Sequence, residues 1–195
     1  MTNKTIMRLA GASFILATLI PSAIASETQS HMRVKGLTSQ PIGHYNYCKQ
    51  FPSDCRIKAG NTAPPKLTRE RWKQMVQVNG YSNDTVRPVT DMELYQTEEL
   101  WAYPTNYGDC EDYVLMKRHM LMQKGWPANA LLITVVRQPN GEGHAVLTVR
   151  TDRADYILDN MNSKILPWNE TRYTYLKRQA TEYSGHWATI ADDRG

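Results

Sequence analysis

Several things are scarce in this chain, and each scarcity narrows what it can be. Charge of one sign is missing: 23 Lys and Arg stand against 19 Asp and Glu, a net +4. That small excess invites a nucleic-acid reading, but two of its positive charges, Lys4 and Arg8, lie in a leader-like segment, and without them no strong field remains. Long apolar runs are missing too. The candidate for a membrane span, Leu9 to Ile20, has only 12 residues and carries Gly11, Ser13 and Thr18, whereas a span needs roughly 20. There is no internal repeat and no low-complexity tract. Cysteine is scarce, and the three present cannot all pair within one chain. What is there suffices for a packed core: 41% hydrophobic and 22% charged residues over 195 positions argue for one domain, at most with an appendage.

The first 25 residues have the layout of an export signal. Lys4 and Arg8 give a basic start, the short apolar stretch follows, and Ala23-Ile24-Ala25 puts small residues before Ser26. A retained anchor and a buried helix are the rival readings of this segment. Cleavage after Ala25 would remove Lys4 and Arg8, taking the charge from +4 to +2. The expectation is a periplasmic or secreted protein with no nucleic-acid partner and no stable membrane insertion. Ser26 to about residue 40 is polar and reads as a flexible N-terminal arm.

Export changes the meaning of the cysteines, because thiols in an oxidising compartment tend to pair. Cys48 and Cys55 flank Pro52-Ser53, residues suited to a turn that returns one thiol to the other. A Cys48–Cys55 disulfide is expected, with two free thiols as the alternative. Cys110 is then left over. It opens a segment ending at Gln123-Lys124-Gly125, with Pro127 beyond, and Val114, Leu115, Leu121 and Met122 recur within it at helical spacing. Cys110 therefore sits at a helix N-terminus with Asp109 as N-cap. Free N–H groups and the helix dipole there favour a thiolate and can donate to an oxyanion, while Glu111 and Asp112 oppose it. A nucleophile, an inert buried thiol and a metal ligand all remain open for this residue taken alone. An earlier helix is expected over Leu67 to Asn79, closed by Asn79-Gly80.

After the helix the period changes. Ala130–Val136, His144–Arg150 and Asp155–Asn160 read as three strands of an antiparallel meander, separated by Pro139–Gly143 and Thr151–Ala154. A four-residue connection at Thr151–Ala154 sets Arg150 opposite Asp155 and Asp159 opposite Val146. His144 shares the face of Val146, so His144 and Asp159 become diagonal neighbours, roughly 7 Å apart or less at Cβ. A free helix-terminal Cys and a His–carboxylate pair on adjoining strands are what thiol-dependent hydrolysis or acyl transfer requires. His31, His44, His119 and His186 lack a comparable carboxylate and strand context.

Three motifs then carry a family resemblance. Gly108-Asp109-Cys110-Glu111-Asp112-Tyr113, Gly143-His144-Ala145-Val146-Leu147 and Leu158-Asp159-Asn160, in that order, resemble the bacterial transglutaminase-like cysteine proteinases. The likeness covers roughly residues 41–190, leaving 191–195 as a tail, and takes in the Cys48/Cys55 segment, Val89-Thr90-Asp91 and Leu100-Trp101. It implies an α+β papain-like or transglutaminase-like core, with the nucleophile at the N-terminus of a helix packed on an antiparallel sheet. It also implies Cys110 as nucleophile, His144 as base and Asp159 as orienting residue, acting on a protein through a thioester. Well-understood members are periplasmic proteases that clip surface adhesins and depend on calcium, which would map Ca2+ binding onto Asp109 and Glu111. Asp112 and Asn160 are further oxygen donors to consider, and Trp101 a loose candidate for the oxyanion site. No organic cofactor is expected. The alternatives are glutamine acyl transfer by the same triad, or a non-catalytic calcium- or partner-binding module. Aromatic residues Trp168, Tyr173, Tyr175, Tyr183 and Trp187 suit core or surface packing better than a substrate cleft.

Overall fold

A computed structural model describes residues 1–2 and 30–194. The expected export signal lies outside the described residues apart from its first two positions. In chain order the elements are β1 (Arg33–Thr38), α1 (Ile42–Gln50), α2 (Pro52–Cys55), α3 (Arg69–Thr85), β2 (Arg87–Pro88), α4 (Asp91–Tyr95), β3 (Tyr107–Gly108), α5 (Cys110–Gln123), β4 (Leu131–Arg137), β5 (Gly143–Arg150), β6 (Asp155–Leu158), β7 (Leu166–Pro167), β8 (Thr174–Gln179) and β9 (Trp187–Ala191).

The predicted meander forms the middle of a seven-stranded sheet, ordered β1-β9-β8-β4-β5-β6-β7. Arg150 pairs with Asp155 and Leu147 with Leu158, the register expected from a four-residue turn. Thr151 holds that turn: its hydroxyl donates to the Ala154 carbonyl and accepts from the N–H groups of Arg153 and Ala154. Alternation then sorts the side chains. Leu131, Ile133, Leu147, Val149 and Leu158 face the helices and join Val114, Leu115 and Leu121 of α5 with Met75 and Val78 of α3. Val136, Val146, Ile157, Tyr175 and Ile190 face the other way, beneath Met32 and Trp168. Each fully buried aliphatic side chain stabilises this packing by roughly 1.5–3 kcal/mol relative to exposure.

Three details depart from the sequence-based expectation. First, α3 continues past Asn79-Gly80 to Thr85. Its buried stripe runs through Met75, Val78, Asn79 and Ser82, and Asn79 donates to the Ser163 carbonyl at 3.2 Å; this tertiary packing overrides the roughly 1 kcal/mol cost of an interior glycine. Second, the N-terminal arm contains a strand. β1 pairs with β9, and the segment before it is tied down by Asp155, which accepts from the Met32 N–H at 2.9 Å and pairs with His31 at 3.3 Å. His31 therefore does have a carboxylate partner on a strand. Third, the last residues before the C-terminus are anchored: Arg194 donates to the carbonyls of Trp168 and Tyr173. By contrast, Gly125 closes α5 as expected, at φ +83°.

The Cys48–Cys55 disulfide is formed, with Cα atoms 5.6 Å apart. It joins α1 to α2, and Asp54 within its loop accepts hydrogen bonds from Tyr47 at 2.5 Å and Tyr103 at 2.8 Å. A bridge closing so short a loop is worth about 2–3 kcal/mol by restricting the unfolded chain. The double substitution Cys48→Ser/Cys55→Ser is expected to lower the melting temperature by roughly 5–10 °C, measured by calorimetry; an unchanged transition would show that the bridge adds nothing.

Candidate active site

Cys110 is the first residue of α5 and is half-buried, the one free cysteine among the described residues. The short β2–β3 parallel pair, Arg87 with Tyr107 and Pro88 with Gly108, aims the chain into this helix. Gly108 is required for that approach, because a Cβ there would stand 2.7 Å from Asp112 Oδ2 and 2.8 Å from Asp112 Cβ. Asp112 is fully buried, and its other oxygen accepts the Ala102 N–H at 2.8 Å. Burial pushes its carboxyl up to about 7. It therefore ties the loop before β3 to the helix.

His144 and Asp159 come together as the strand register predicts. The His144 Nε2 lies 2.9 Å from Asp159 Oδ1, with both side chains buried. Burial alone would raise the Asp159 carboxyl. Hydrogen bonding and charge from His144 outweigh it, aided by hydrogen bonds from Tyr173 and the Met161 N–H, and hold the group below its ordinary value. The Asp159 backbone carbonyl accepts from Asn83 Nδ2 of α3 at 2.8 Å. Lys117, two turns along α5 from Cys110, is fully buried and has no hydrogen-bond partner for its ammonium. Burial lowers it to about 7, and Asp159 is the charge that opposes this.

The helix and the strand pair meet at β5. The Cys110 side chain packs against the core cluster that includes Ala145, the residue after His144. The thiol itself donates to Glu111 Oε2 at 3.1 Å. Burial, then the charge of Glu111 and this bond, raise the thiol well above its ordinary value. In this arrangement the acidic side chain, not the imidazole, holds the thiol proton.

That acidity belongs to a cluster. Asp91, Asp109 and Glu111 each place a carboxylate oxygen within 4.8 Å of the others. Asp109 occupies the N-cap position of α5, yet its side chain makes no capping bond; a carboxylate oxygen lies instead within 4.8 Å of those of Asp91 and Glu111. Burial and then Asp109's charge push Glu111 up to about 9. Buried oxygens of both Asp91 and Asp109 have no hydrogen-bond partner. Three crowded acidic side chains, two with orphaned oxygens, fit a hard cation such as Ca2+, which prefers several oxygen ligands. A second group, His44, Cys48 and Cys55, does not, because both thiols are spent in the disulfide.

Asp91 was not singled out from the sequence. Thr90 and Glu93 form a capping box that starts α4 at Asp91, a signal visible in Thr90-Asp91-Met92-Glu93, but only the β2–β3 pairing, extended by Val89 N–H to Gly108 carbonyl at 3.1 Å, brings it to Asp109. The Asn160 amide oxygen is buried without a partner. Trp101, the loose oxyanion candidate, is engaged elsewhere: its indole N–H donates to Glu99 at 2.7 Å, and its ring packs edge-on against His44 and Trp187. Trp168, Tyr175 and Trp187 are core residues.

The chain matches the family described as bacterial transglutaminase-like cysteine proteinase over residues 34–195. No curated protein matches it. Among solved structures, calcium-bound LapG of Legionella pneumophila is similar at 25% identity and a TM-score of 0.53, covering 63% of this chain and 72% of that one. The EGTA-treated form of the same protein gives 26% identity and a TM-score of 0.52 over the same shares. The shared architecture is a helix-bearing antiparallel sheet of the transglutaminase-like cysteine protease type.

The depressed Asp159 carboxyl makes a stability statement. Its contribution is present above the ordinary carboxylate value of about 3.9 and is lost as pH falls through the lower folded-state value. Asp159→Asn is expected to lower unfolding free energy at pH 7 by about 1–3 kcal/mol. The gap to the wild type should narrow near pH 3, measured by urea titration. A constant gap across that range would show that the carboxylate's charge is not what stabilises the site.

Proposed function

We propose, from the premise that the chain belongs to the bacterial transglutaminase-like cysteine proteinase family and is a cysteine peptidase, that Cys110, His144 and Asp159 carry its reaction. The supporting observation is the His144–Asp159 hydrogen bond of 2.9 Å, with the free Cys110 thiol at the start of α5 packed against the cluster that holds Ala145, the neighbour of His144. His144 takes the Cys110 proton, and the thiolate attacks the carbonyl carbon of a scissile peptide bond. The Cys110 N–H, free at the first position of α5, faces the developing oxyanion. His144 then returns the proton to the leaving amine, and a thioester remains on Cys110. Water, deprotonated by His144, attacks the thioester and releases the new carboxylate. Asp159 keeps the imidazole oriented and balances its positive charge.

The acidic cluster accounts for the other half of the site. Asp91, Asp109 and Glu111 would hold Ca2+, and the ion supplies there the positive charge that three adjacent carboxylates lack. A Glu111 carboxylate so engaged would be a poorer acceptor for the Cys110 thiol, which donates to it at 3.1 Å. A Cys48–Cys55 bridge and a leader-like N-terminus favour an exported, periplasmic setting. The substrate is a protein, and a surface adhesin is the reading the family supports.

Three outcomes are expected. Iodoacetamide should label Cys110 rapidly near neutral pH in the presence of Ca2+, and His144→Ala should slow it at least tenfold; slow labelling indifferent to that substitution would favour a non-catalytic module. Fragments of envelope and surface proteins should appear with the wild type and not with Cys110→Ala, whereas cross-linked species in place of fragments would assign acyl transfer. Separately, Ca2+ should raise the melting temperature reversibly to EGTA, and Asp91→Asn or Glu111→Gln should abolish the shift. A shift that survives those substitutions would remove the ion from this cluster.

A further inference from the structure

Both oxygens of Asp159 are in use. Oδ1 receives His144 at 2.9 Å and the Met161 N–H at 3.0 Å, while Oδ2 accepts the Tyr173 hydroxyl at 2.6 Å. A short bond of this kind, with an ionised acceptor, is stronger than a neutral one. The Tyr173 ring also lies against the imidazole, with centroids 5.5 Å apart and planes at 51°. One side chain therefore touches both members of the His–Asp pair.

The support behind Tyr173 is firm, although the residue precedes β8 and makes no rung of the sheet. Arg194 donates to its carbonyl at 2.6 Å, and to those of Trp168 at 2.9 Å and Thr171 at 3.3 Å. The same guanidinium lies over the rings of Trp168 and Tyr175, 4.5 and 5.0 Å from their centroids, and pairs with Asp192. From the opposite side Asn83 holds the Asp159 carbonyl. Asp159 is thus gripped between α3 and the Tyr173 segment. Beyond it lies a cavity of about 380 Å3 lined in part by Asp159, Met161, Arg172 and Tyr173. Without the hydroxyl, Oδ2 would face that cavity unpaired, and the Met161 N–H would be the one backbone group left to steady the carboxylate toward His144.

We propose that Tyr173 is a positioning residue of the active site: its hydroxyl fixes the Asp159 carboxylate so that Oδ1 is presented to His144, and Arg194 fixes Tyr173. The inference rests on the assignment of Asp159 as the residue that orients the imidazole. Tyr173 need not touch the substrate, and its effect passes entirely through Asp159.

The test is a double-mutant cycle on the whole protein with Tyr173→Phe, Asp159→Asn and the pair together. Each is read by the second-order rate of Cys110 alkylation by iodoacetamide, by melting temperature, and by the downfield N–H proton resonance of the His144 imidazole. Tyr173→Phe keeps the ring and the fold; the alkylation rate should fall about fivefold to tenfold, the imidazole resonance should move, and the melting temperature should change little. The double variant should react no more slowly than Asp159→Asn alone, because a residue acting through Asp159 has nothing left to position. A wild-type rate and an unmoved resonance in Tyr173→Phe, beside a slow Asp159→Asn, would overturn this inference while leaving the triad standing. Losses that multiply in the double variant would also overturn it, since they mean an independent role. A wild-type rate in Asp159→Asn would instead overturn the triad assignment and this inference with it.

Discussion

The pairing of β5 with β6 is the constraint from which the rest of the site follows. Leu147 opposite Leu158 sends both leucines into the helix-facing core. The same register leaves His144 and Asp159 on the other face, one diagonal step apart. A slip of one residue would flip every side chain of β6. It would expose Leu158 and carry Asp159 away from the imidazole. Hydrophobic burial and site geometry are therefore enforced by one set of hydrogen bonds, and the core's free energy is what keeps the pair aligned.

The second organising feature is an electrostatic cost placed at the start of α5. Burying Asp91, Asp109, Glu111 and Asp112 near one helix terminus raises every one of these carboxyls. A fold gains no stability from such crowding. Asp112 holds the Ala102 N–H and Asp91 the Leu100 N–H, yet Asp91, Asp109 and Asp112 each keep one orphaned oxygen. The cost makes sense if a cation completes the group, and the thiol beside it then feels the change, since Glu111 is its present hydrogen-bond acceptor. Around Asp159, His144, the Tyr173 hydroxyl and the Met161 N–H favour the ionised form. Opposite demands are thus met within one small region by separate elements.

Much of this was legible from residue order. Gly125 and Pro127 marked the end of α5, and the apolar spacing marked its buried face. The four-residue Thr151–Ala154 connection yielded the register, because side chains alternate strictly along strands. Cys48 and Cys55 announced their pairing by proximity and by the intervening Pro52. The family itself was legible in three short motifs. Less visible were features whose determinants lie on distant segments. Gly80 looked like a helix terminator until Asn79 and Ser82 found buried neighbours, and the arm before Pro41 looked loose until β9 offered it an edge.

The sequence by itself thus determined the local elements, the order of the proposed nucleophile, base and carboxylate, and the face shared by the last two. These are consequences of short-range sterics and periodicity. Only the tertiary structure decided which side chains complete the site. Asp91 reaches Asp109 through the β2–β3 pairing, Asn83 reaches Asp159 from α3, and Tyr173 reaches it from a segment held by Arg194. Each of these contacts joins residues 14 or more positions apart. No pattern in the intervening residues records them, because what sets them is the packing of helices and loops on a finished sheet.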